Sequence, residues 1–346
     1  LMTHTVSDAS AETLLHDLVS AYSPSRQEGD AVQCLVDWMP ENGYHYASTD
    51  NAGNAVGIIG SGSRQIVLLG HIDTFPGMPP VRIDSRLLYG RGSVDAKGPL
   101  CTFAVAAARA NLPDDVQIVV IGAVEEEAAT SKGARHALTQ YQPEICVIGE
   151  PSNWDRITLG YKGRLLLDWR WEGPLAHSAG PTLSPAEHAI AYWERVCDYA
   201  DAFNQDRQGE FSRLSPSVRD INTHQEGVNG VAEMTIGFRL PPGINPDEIA
   251  ASLPPGEHAT VRSRGAEVAY AADKNSSISR VMRGAIRREG GTPRFVNKTG
   301  TSDMNVVGPV WNCPIVAYGP GDSALDHTPD EHIDLDEYLR AIRVLT

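Results

Sequence analysis

The sequence predicts an α/β fold interrupted by a smaller α+β domain, and three observations predict it. Continuous apolar runs, RQIVLLGHIDT, DVQIVVIGAV and EICVIGE, alternate with helical stretches. Strands of that kind are buried on both faces, as in a sheet covered by helices. From about Lys162 the texture changes to strands that alternate polar and apolar residues, GRLLLDWRWEG and VAEMTIGFRLPPG, the pattern of a sheet with one open face. After about Ala272 the first texture returns. The expected boundaries are therefore 1–162 and 273–346 for the main domain and 163–272 for the insertion. A length of 346 residues fits two cores better than one.

The elements follow in order. SAETLLHDLVSAY has helical periodicity, with Ser10 as the expected N-cap. AVQCLVDWMPENG is a second helix, stopped by Pro40 and Gly43. The first apolar strand runs into a polar loop, KGPLCTFAVAAARA is an alanine-rich helix, and two further buried strands follow. In the insertion, SPAEHAIAYWERVCDYADAFN is a long amphipathic helix, NPDEIAASL a short one and HATVRSRG a last short strand. The return consists of a helix over 276–290 and the buried strand CPIVAYGPG. GIIGSGSRQ is glycine-rich but has no phosphate-loop lysine, so it reads as a turn.

Composition excludes several classes of function. The net charge is −15, with 44 acidic against 29 basic residues, which argues against a nucleic-acid partner. No apolar run approaches the roughly 20 residues of a membrane helix. The first twenty residues have no basic patch followed by an apolar block, so no secretory signal is expected. Five cysteines, at 34, 101, 146, 197 and 313, are scattered and form no CxxC pair, which predicts reduced thiols and a cytoplasmic protein.

The polar clusters sit just beyond the apolar strands, where α/β sheets place their sites. LLGHIDTFPG offers His71 and Asp73, GRGSVDAKGPL offers Asp95, GAVEEEAA offers Glu125, Glu126 and Glu127, VIGEPS offers Glu150, and LDHTPDEHID offers His327. Three adjacent acids at the end of a buried strand repel one another. Mixed imidazole and carboxylate donors suit zinc, cobalt or manganese, and one carboxylate can bridge two ions. Taken singly, each feature has a plainer reading: a surface histidine, a solvated helix start favoured by the dipole, a capped turn. Five such features, each at a strand end, favour a pair of cations.

On these residues the chain resembles a known family. GHIDT, GRGSVDAKG, EEEAATSKGA, GEPS, HSAGP and DHTPDEHI, in that order between about residues 66 and 333, resemble the motifs of the co-catalytic metallopeptidases of the M20 family, the aminoacylase/carboxypeptidase G2 group. VEEEAATSKGAR, KTGTSDMN and YGPGDSALDHTPDEHI are most similar to its branch of N-acetyl-lysine and N-acetyl-ornithine deacetylases, which includes hydrolases of lysine or ornithine linked to the carrier protein LysW. The resemblance implies a zinc-peptidase-like catalytic domain, a mixed sheet with flanking helices, and an inserted α+β dimerisation or lid domain. It implies two divalent ions, zinc before cobalt, on His71, Asp95, Glu127, Glu150 and His327. It assigns His71 and Glu150 to separate ions bridged by Asp95, puts Glu127 at the second, and leaves His327 at either.

The same resemblance makes Glu126 the general base. Glu126 is preferred to Glu125 because Gly133 falls at the spacing relatives show after their metal-binding glutamate. Glu125 stands where most relatives have aspartate. Asp73 resembles the carboxylate that orients His71. His177, in PLAHSAGP, is implied to reach the partner subunit's site and stabilise the tetrahedral oxyanion. Arg239 resembles a clamp on a substrate carboxylate, for which a planar fork is suited, with Asn229 as its helper. Gly300, Thr301 and Ser302 resemble a rim contacting the substrate's α-carboxylate. Lys162 and Arg164 are expected at the domain junction.

The chemistry agrees independently. Two ions about 3.5–4 Å apart can share a water, lower its pKa and polarise a carbonyl, and a carboxylate not spent on metal can move the proton to the leaving amine. No G-x-S-x-G elbow competes. The expected activity is a dinuclear-metal amide hydrolase releasing L-lysine or L-ornithine from an N2-acyl derivative in amino-acid biosynthesis. Its substrate is expected to be a small N-acyl amino acid or a LysW conjugate, and its assembly a homodimer. The alternative is a carboxypeptidase, a dipeptidase or a succinyl-diaminopimelate desuccinylase-like enzyme. A carrier substrate calls for a basic surface, with Arg262, Arg264, Arg283, Arg287 and Arg288 as candidates. A non-catalytic binding protein would have lost a ligand or the base, and a dinucleotide-binding enzyme would need GxGxxG after its first strand.

Overall fold

The buried strands of the first texture assemble into one mixed sheet whose parallel core ends on a single edge. The computed structural model describes residues 6–175, 177 and 180–346. The chain forms two units: one of residues up to Gly160 with Ala272–Asn297 and Ser302–Thr346, the other of Tyr161–Ala271 with Lys298–Thr301. The sequence reading placed the second unit in one stretch. The structure adds the four-residue return, because Lys162 N–H donates to Lys298 O at 3.2 Å and Thr301 Oγ1 donates to Lys162 O at 3.0 Å.

The first unit opens with helices α1 (Asp8–Ser20) and α2 (Gly29–Glu41), then strands β1 (Tyr46–Thr49), β2 (Ala55–Ile59), β3 (Arg64–His71), β4 (Arg82–Asp84) and β5 (Leu87–Tyr89). Helix α3 (Lys97–Arg109), β6 (Val116–Ala123), α4 (Lys132–Gln140), β7 (Ile145–Gly149) and β8 (Arg156–Tyr161) complete its first pass. The N-cap of α1 is Ser7, whose hydroxyl accepts from Ser10 N–H at 3.1 Å, so Ser10 lies inside the first turn. Pro40 lies in the last turn of α2, which ends one residue later at Glu41, and Gly43 follows with a left-handed φ of 91°. The second unit contributes β9 (Gly163–Pro174), α5 (Pro185–Asn204), β10 (Ser215–Glu226), β11 (Asn229–Leu240), α6 (Pro246–Ser252), β12 (Ala259–Glu267) and β13 (Tyr270–Ala271). The chain then adds α7 (Ser277–Arg288), β14 (Arg294–Lys298), α8 (Asp303–Trp311), β15 (Ile315–Tyr318), β16 (His332–Asp334) and α9 (Leu335–Leu345).

The main sheet runs β1-β2-β6-β3-β7-β15-β8. Strand β3 is parallel to β6 and to β7, and β7 is parallel to β15. The register sets His71 beside Ala123, Gly70 beside Gly149, and Tyr318 beside Gly149. Four carboxyl ends therefore meet at one edge, and the loops leaving them carry the polar motifs. Gly149 permits a close approach of β3 and β7: a Cβ there would lie 2.9 Å from the Cα of Gly70 and from the ring of Phe103. Leu15, Leu18, Leu100, Phe103, Val120, Val147 and Tyr338 are buried together in the core of this unit.

The second unit is an antiparallel sheet in the order β10-β11-β9-β12. Burial alternates strictly along most of β9, and Leu165, Leu167, Trp169 and Trp171 pack with Met234, Ile236 and Phe238 of β11 and with Ala189, Tyr192 and Val196 of α5. Helix α5 starts with Ser184 and Glu187 capping each other and Pro185 in the first turn. The sequence reading passed over β10, SPSVRDINTHQE, whose polar residues fall on both faces. It is one of the two edge strands, exposed from Ser217 to Glu226. Among the described residues no helix is long and apolar enough to cross a membrane.

Candidate metal centre

The edge where the parallel strands end brings five of the predicted donors together. His71 is the last residue of β3, Glu150 follows β7, Asp95 precedes α3, Glu127 follows β6, and His327 lies between β15 and β16. They form two groups. In one, His71, Asp95 and Glu150 offer donor atoms within 4.8 Å of one another; in the other, Asp95, Glu127 and His327 do the same. Asp95 belongs to both. Its Oδ1 is 3.2 Å from His71 Nε2, and its Oδ2 is 3.1 Å from His327 Nε2. Glu127 Oε1 is 2.9 Å from His327 Nε2.

This arrangement corrects one expectation. The donor atoms of His71 and Glu150 fall in one group, where the resemblance had put them on separate ions, because β3 and β7 are adjacent and in register at Gly70 and Gly149, so the residues just beyond emerge side by side. His327, left open between the ions, falls with Glu127.

The electrostatics fit cations at both groups. Burial, partly offset by His71 and reinforced by Glu150, Asp303 and Glu127, holds Glu126 well above the usual carboxylate range. Burial does the same to Glu150, again against His71 and with Asp95 and Asp303 adding to it. Glu127 is raised by burial and by Asp95. Burial pulls His71 down, but Glu126, Asp73 and Asp95 outweigh it and the imidazole is raised well above its ordinary value. Hydrogen bonds to Asp95 and Glu127 push His327 up to about 10. Asp95 stays below the usual range despite its burial because two imidazoles face it. Apart from Asp95, these acids and imidazoles all hold their protons more tightly than usual, which marks an excess of buried negative charge that divalent ions on N/O donors would neutralise.

The three adjacent glutamates point three ways. Glu127 turns to His327. Glu126 belongs to neither group, with its Oε2 4.0 Å from His71 Nε2. Glu125 faces elsewhere: its Oε2 accepts from Thr130 Oγ1 at 2.6 Å, and Arg26 Nε and Lys132 Nζ each lie 3.9 Å from its carboxylate. A left-handed backbone at Glu125, φ 58°, makes this divergence possible. Behind the turn, Gly133 N–H donates to Val124 O at 3.0 Å, and a Cβ on Gly133 would collide with the Asn54 amide and Val124 N. That is the physical reason for a glycine at this spacing.

Asp73 also differs from expectation. His71 Nδ1 donates to the backbone carbonyl of Asp73 at 2.9 Å, whereas the Asp73 carboxylate is 3.6 Å away. The carbonyl fixes a proton on Nδ1 and turns Nε2 toward the shared Asp95, where its lone pair would be free for a cation. The carboxylate instead accepts the N–H groups of Glu126 and Glu127, each at 3.0 Å, and the hydroxyl of Ser25 at 2.6 Å. It orients the acids more than the imidazole. Sequence reasoning missed Ser25 and also Arg91 and Glu331, although the last two lie inside the quoted GRGSVDAKG and DHTPDEHI motifs.

The remaining candidates lie mostly in the second unit. Arg239 Nη1 donates to Thr301 Oγ1 at 2.9 Å, so Arg239 and the Gly300–Thr301 return are neighbours. Asn229 is not brought to Arg239. The two residues open and nearly close β11, about 33 Å apart at roughly 3.3 Å per residue, and Asn229 Nδ2 donates to Glu172 Oε1 at 2.9 Å. Ser302 belongs to the first unit and spends its hydroxyl on capping α8, accepting from Met304 N–H at 3.2 Å. His177 is exposed, and its neighbours Ala176, Ser178 and Ala179 lie outside the described residues. Lys162 Nζ donates to Glu210 O and Ser215 Oγ at 3.0 and 2.9 Å, and Arg164 Nε to Gly265 O at 3.1 Å, all inside the second unit. Of the arginines considered for a basic surface, Arg264 is engaged bidentately by Asp168 at 2.6 and 3.1 Å.

Comparisons with known proteins agree with this geometry. The model of peptidase family M20/M25/M40 matches residues 67–346. A [LysW]-lysine hydrolase of Deinococcus radiodurans is 46% identical over 355 residues, covering 100% of this chain and 98% of that protein. A putative [LysW]-lysine/[LysW]-ornithine hydrolase of Thermococcus kodakarensis is 40% identical, covering 96% of this chain and 89% of its own. Among solved structures, an M20 family metallo-carboxypeptidase of Sulfolobus solfataricus superposes with a TM-score of 0.80 at 17% identity, covering 97% of each chain. A dinuclear metal binding peptidase of the same family from Bacillus subtilis does so at 0.67 and 14%, again covering 97% of each.

Proposed function

Because the chain belongs to peptidase family M20/M25/M40 and is a metal-dependent amide hydrolase, we propose that it releases L-lysine or L-ornithine from an N2-acyl derivative, with the carrier protein LysW as the acyl group. One observation carries the chemistry: the two oxygens of Asp95 each lie beside a different imidazole, and Glu126, 4.0 Å from His71 Nε2, belongs to neither group. The carrier-linked substrate is supported by 46% identity along the full chain to a [LysW]-lysine hydrolase.

The donors His71, Asp95 and Glu150 would hold one ion, and Asp95, Glu127 and His327 the other. Zinc is the proposed metal and cobalt a working substitute, since imidazole and carboxylate suit both. Bound divalent ions supply Lewis acidity, which polarises an amide carbonyl and makes water acidic at neutral pH. Glu126 takes the proton from the attacking water and passes it to the leaving α-amine, a task suited to a carboxylate that stands beside the donors and is spent on neither group. Asp73 holds the Glu126 and Glu127 backbone so that these two side chains keep separate roles. Arg239, with its guanidinium steadied by Thr301, binds the α-carboxylate of the amino acid. His177 stabilises the oxyanion, acting in the partner subunit of a homodimer. The exposed edge strand β10, which among the described residues pairs with β11 alone, supports pairing with a second copy.

A substrate panel tests this reading. With zinc or cobalt added, N2-acetyl-lysine, N2-acetyl-ornithine, succinyl-diaminopimelate, simple dipeptides and a LysW–lysine conjugate are compared by kcat/KM. The conjugate should be the best substrate. A preference for dipeptides over every N2-acyl lysine or ornithine derivative would overturn the assignment.

A further inference from the structure

We propose that the buried Arg91–Glu331 ion pair is a positioning clamp that places the second metal group without itself touching a metal or the substrate. The proposal rests on the dinuclear reading above and adds two residues that the reading does not use. Arg91 is 8% exposed and Glu331 1%, and Arg91 Nη1 meets Glu331 Oε2 at 2.7 Å. The other oxygen, Oε1, accepts the N–H groups of Val94 and Asp95 at 3.0 and 3.1 Å. The guanidinium in turn donates to Thr328 O from Nη1 and to His327 O from Nη2, both at 3.3 Å. One carboxylate therefore grips the backbone bearing the shared aspartate, and one guanidinium grips the backbone bearing the histidine.

His327 needs such support. It lies in a loop, adopts a left-handed φ of 62°, and keeps 41% of its side chain exposed. Its ring stacks on Phe75 with centroids 4.4 Å apart and planes 13° from parallel, and the Arg91 guanidinium carbon is 5.9 Å from the same ring. Guanidinium, phenyl ring and imidazole thus form one assembly whose fixed end is the Arg91–Glu331 pair. A planar fork spreads its donors over two Nη atoms, which here reach a carboxylate and two carbonyls set apart; an ammonium carries the charge on one nitrogen and does not reproduce that reach.

The test titrates the metal-free full-length protein with cobalt(II), following heat and the visible d–d absorbance. The wild type should bind two equivalents. Arg91→Lys, which keeps the charge opposite Glu331, should weaken one equivalent at least tenfold, change its absorbance, and leave the other within about threefold, as loss of supporting bonds around ligands does elsewhere. Glu331→Gln, which keeps an acceptor for the Asp95 N–H, should do the same, and it carries the test if the lysine variant does not fold by circular dichroism. In a His327→Ala background the single remaining equivalent should be indifferent to Arg91→Lys. Equal weakening of both equivalents, or no change in either, would overturn the clamp. A wild type that binds no pair of ions would instead remove the reading beneath it.

Discussion

The two metal groups share Asp95 and differ in nearly everything else that holds them. His71 and Glu150 leave neighbouring parallel strands, are 2% and 8% exposed, and need little beyond the sheet register to meet. Glu127 and His327 sit on irregular turns, and His327 is open to solvent. Their approach depends on long-range bonds: Asp73 to the Glu127 N–H, Arg91 to the His327 carbonyl, Glu331 to the Asp95 N–H. A strand end positions a ligand through the backbone ladder; a loop must be tied down by side chains.

The comparison can be broken most severely at the residue both groups share. Asp95→Ala should abolish hydrolysis and bring metal content below one ion per chain, read by elemental analysis after gel filtration. Next in size is Glu126→Gln, which should lower kcat by about 10²–10⁴ while both ions remain, because Glu126 belongs to neither group. Retained turnover in that variant would move the base elsewhere. Chelation sharpens the contrast: metal should leave in two phases, the exposed group first, and His327→Ala should lack the fast phase. A single phase in the wild type would argue that the two groups are equally held. Smallest of all, Glu125→Ala should change cobalt affinity by no more than roughly twofold, about 0.4 kcal/mol, because its carboxylate faces Thr130, Arg26 and Lys132.

Much of the first group was legible in the sequence because it is written locally. A buried apolar strand followed at once by a histidine or glutamate gives both the element and the direction in which the donor leaves it, as at His71 and Glu150. The pairing of donors was not legible. It depends on which strands are neighbours, and for that reason the sequence separated His71 and Glu150, whose donor atoms fall in one group. The roles of Asp73 and Glu125 were hidden because they turn on which atom faces which neighbour, carbonyl against carboxylate and left-handed turn against extended chain. Arg91 and Glu331, far apart in sequence, gain meaning only when the loops meet. Asn229 and Arg239 look close in sequence, yet an extended strand carries them far apart. Strand β10 escaped notice because an exposed edge needs no apolar face.

Anomalous diffraction from zinc-loaded crystals addresses the central claim most directly. The account predicts two peaks, one bounded by His71, Asp95 and Glu150, the other by Asp95, Glu127 and His327, with Glu126 bound to neither. A lone peak, or a zinc ion ligated by Glu126, would contradict it.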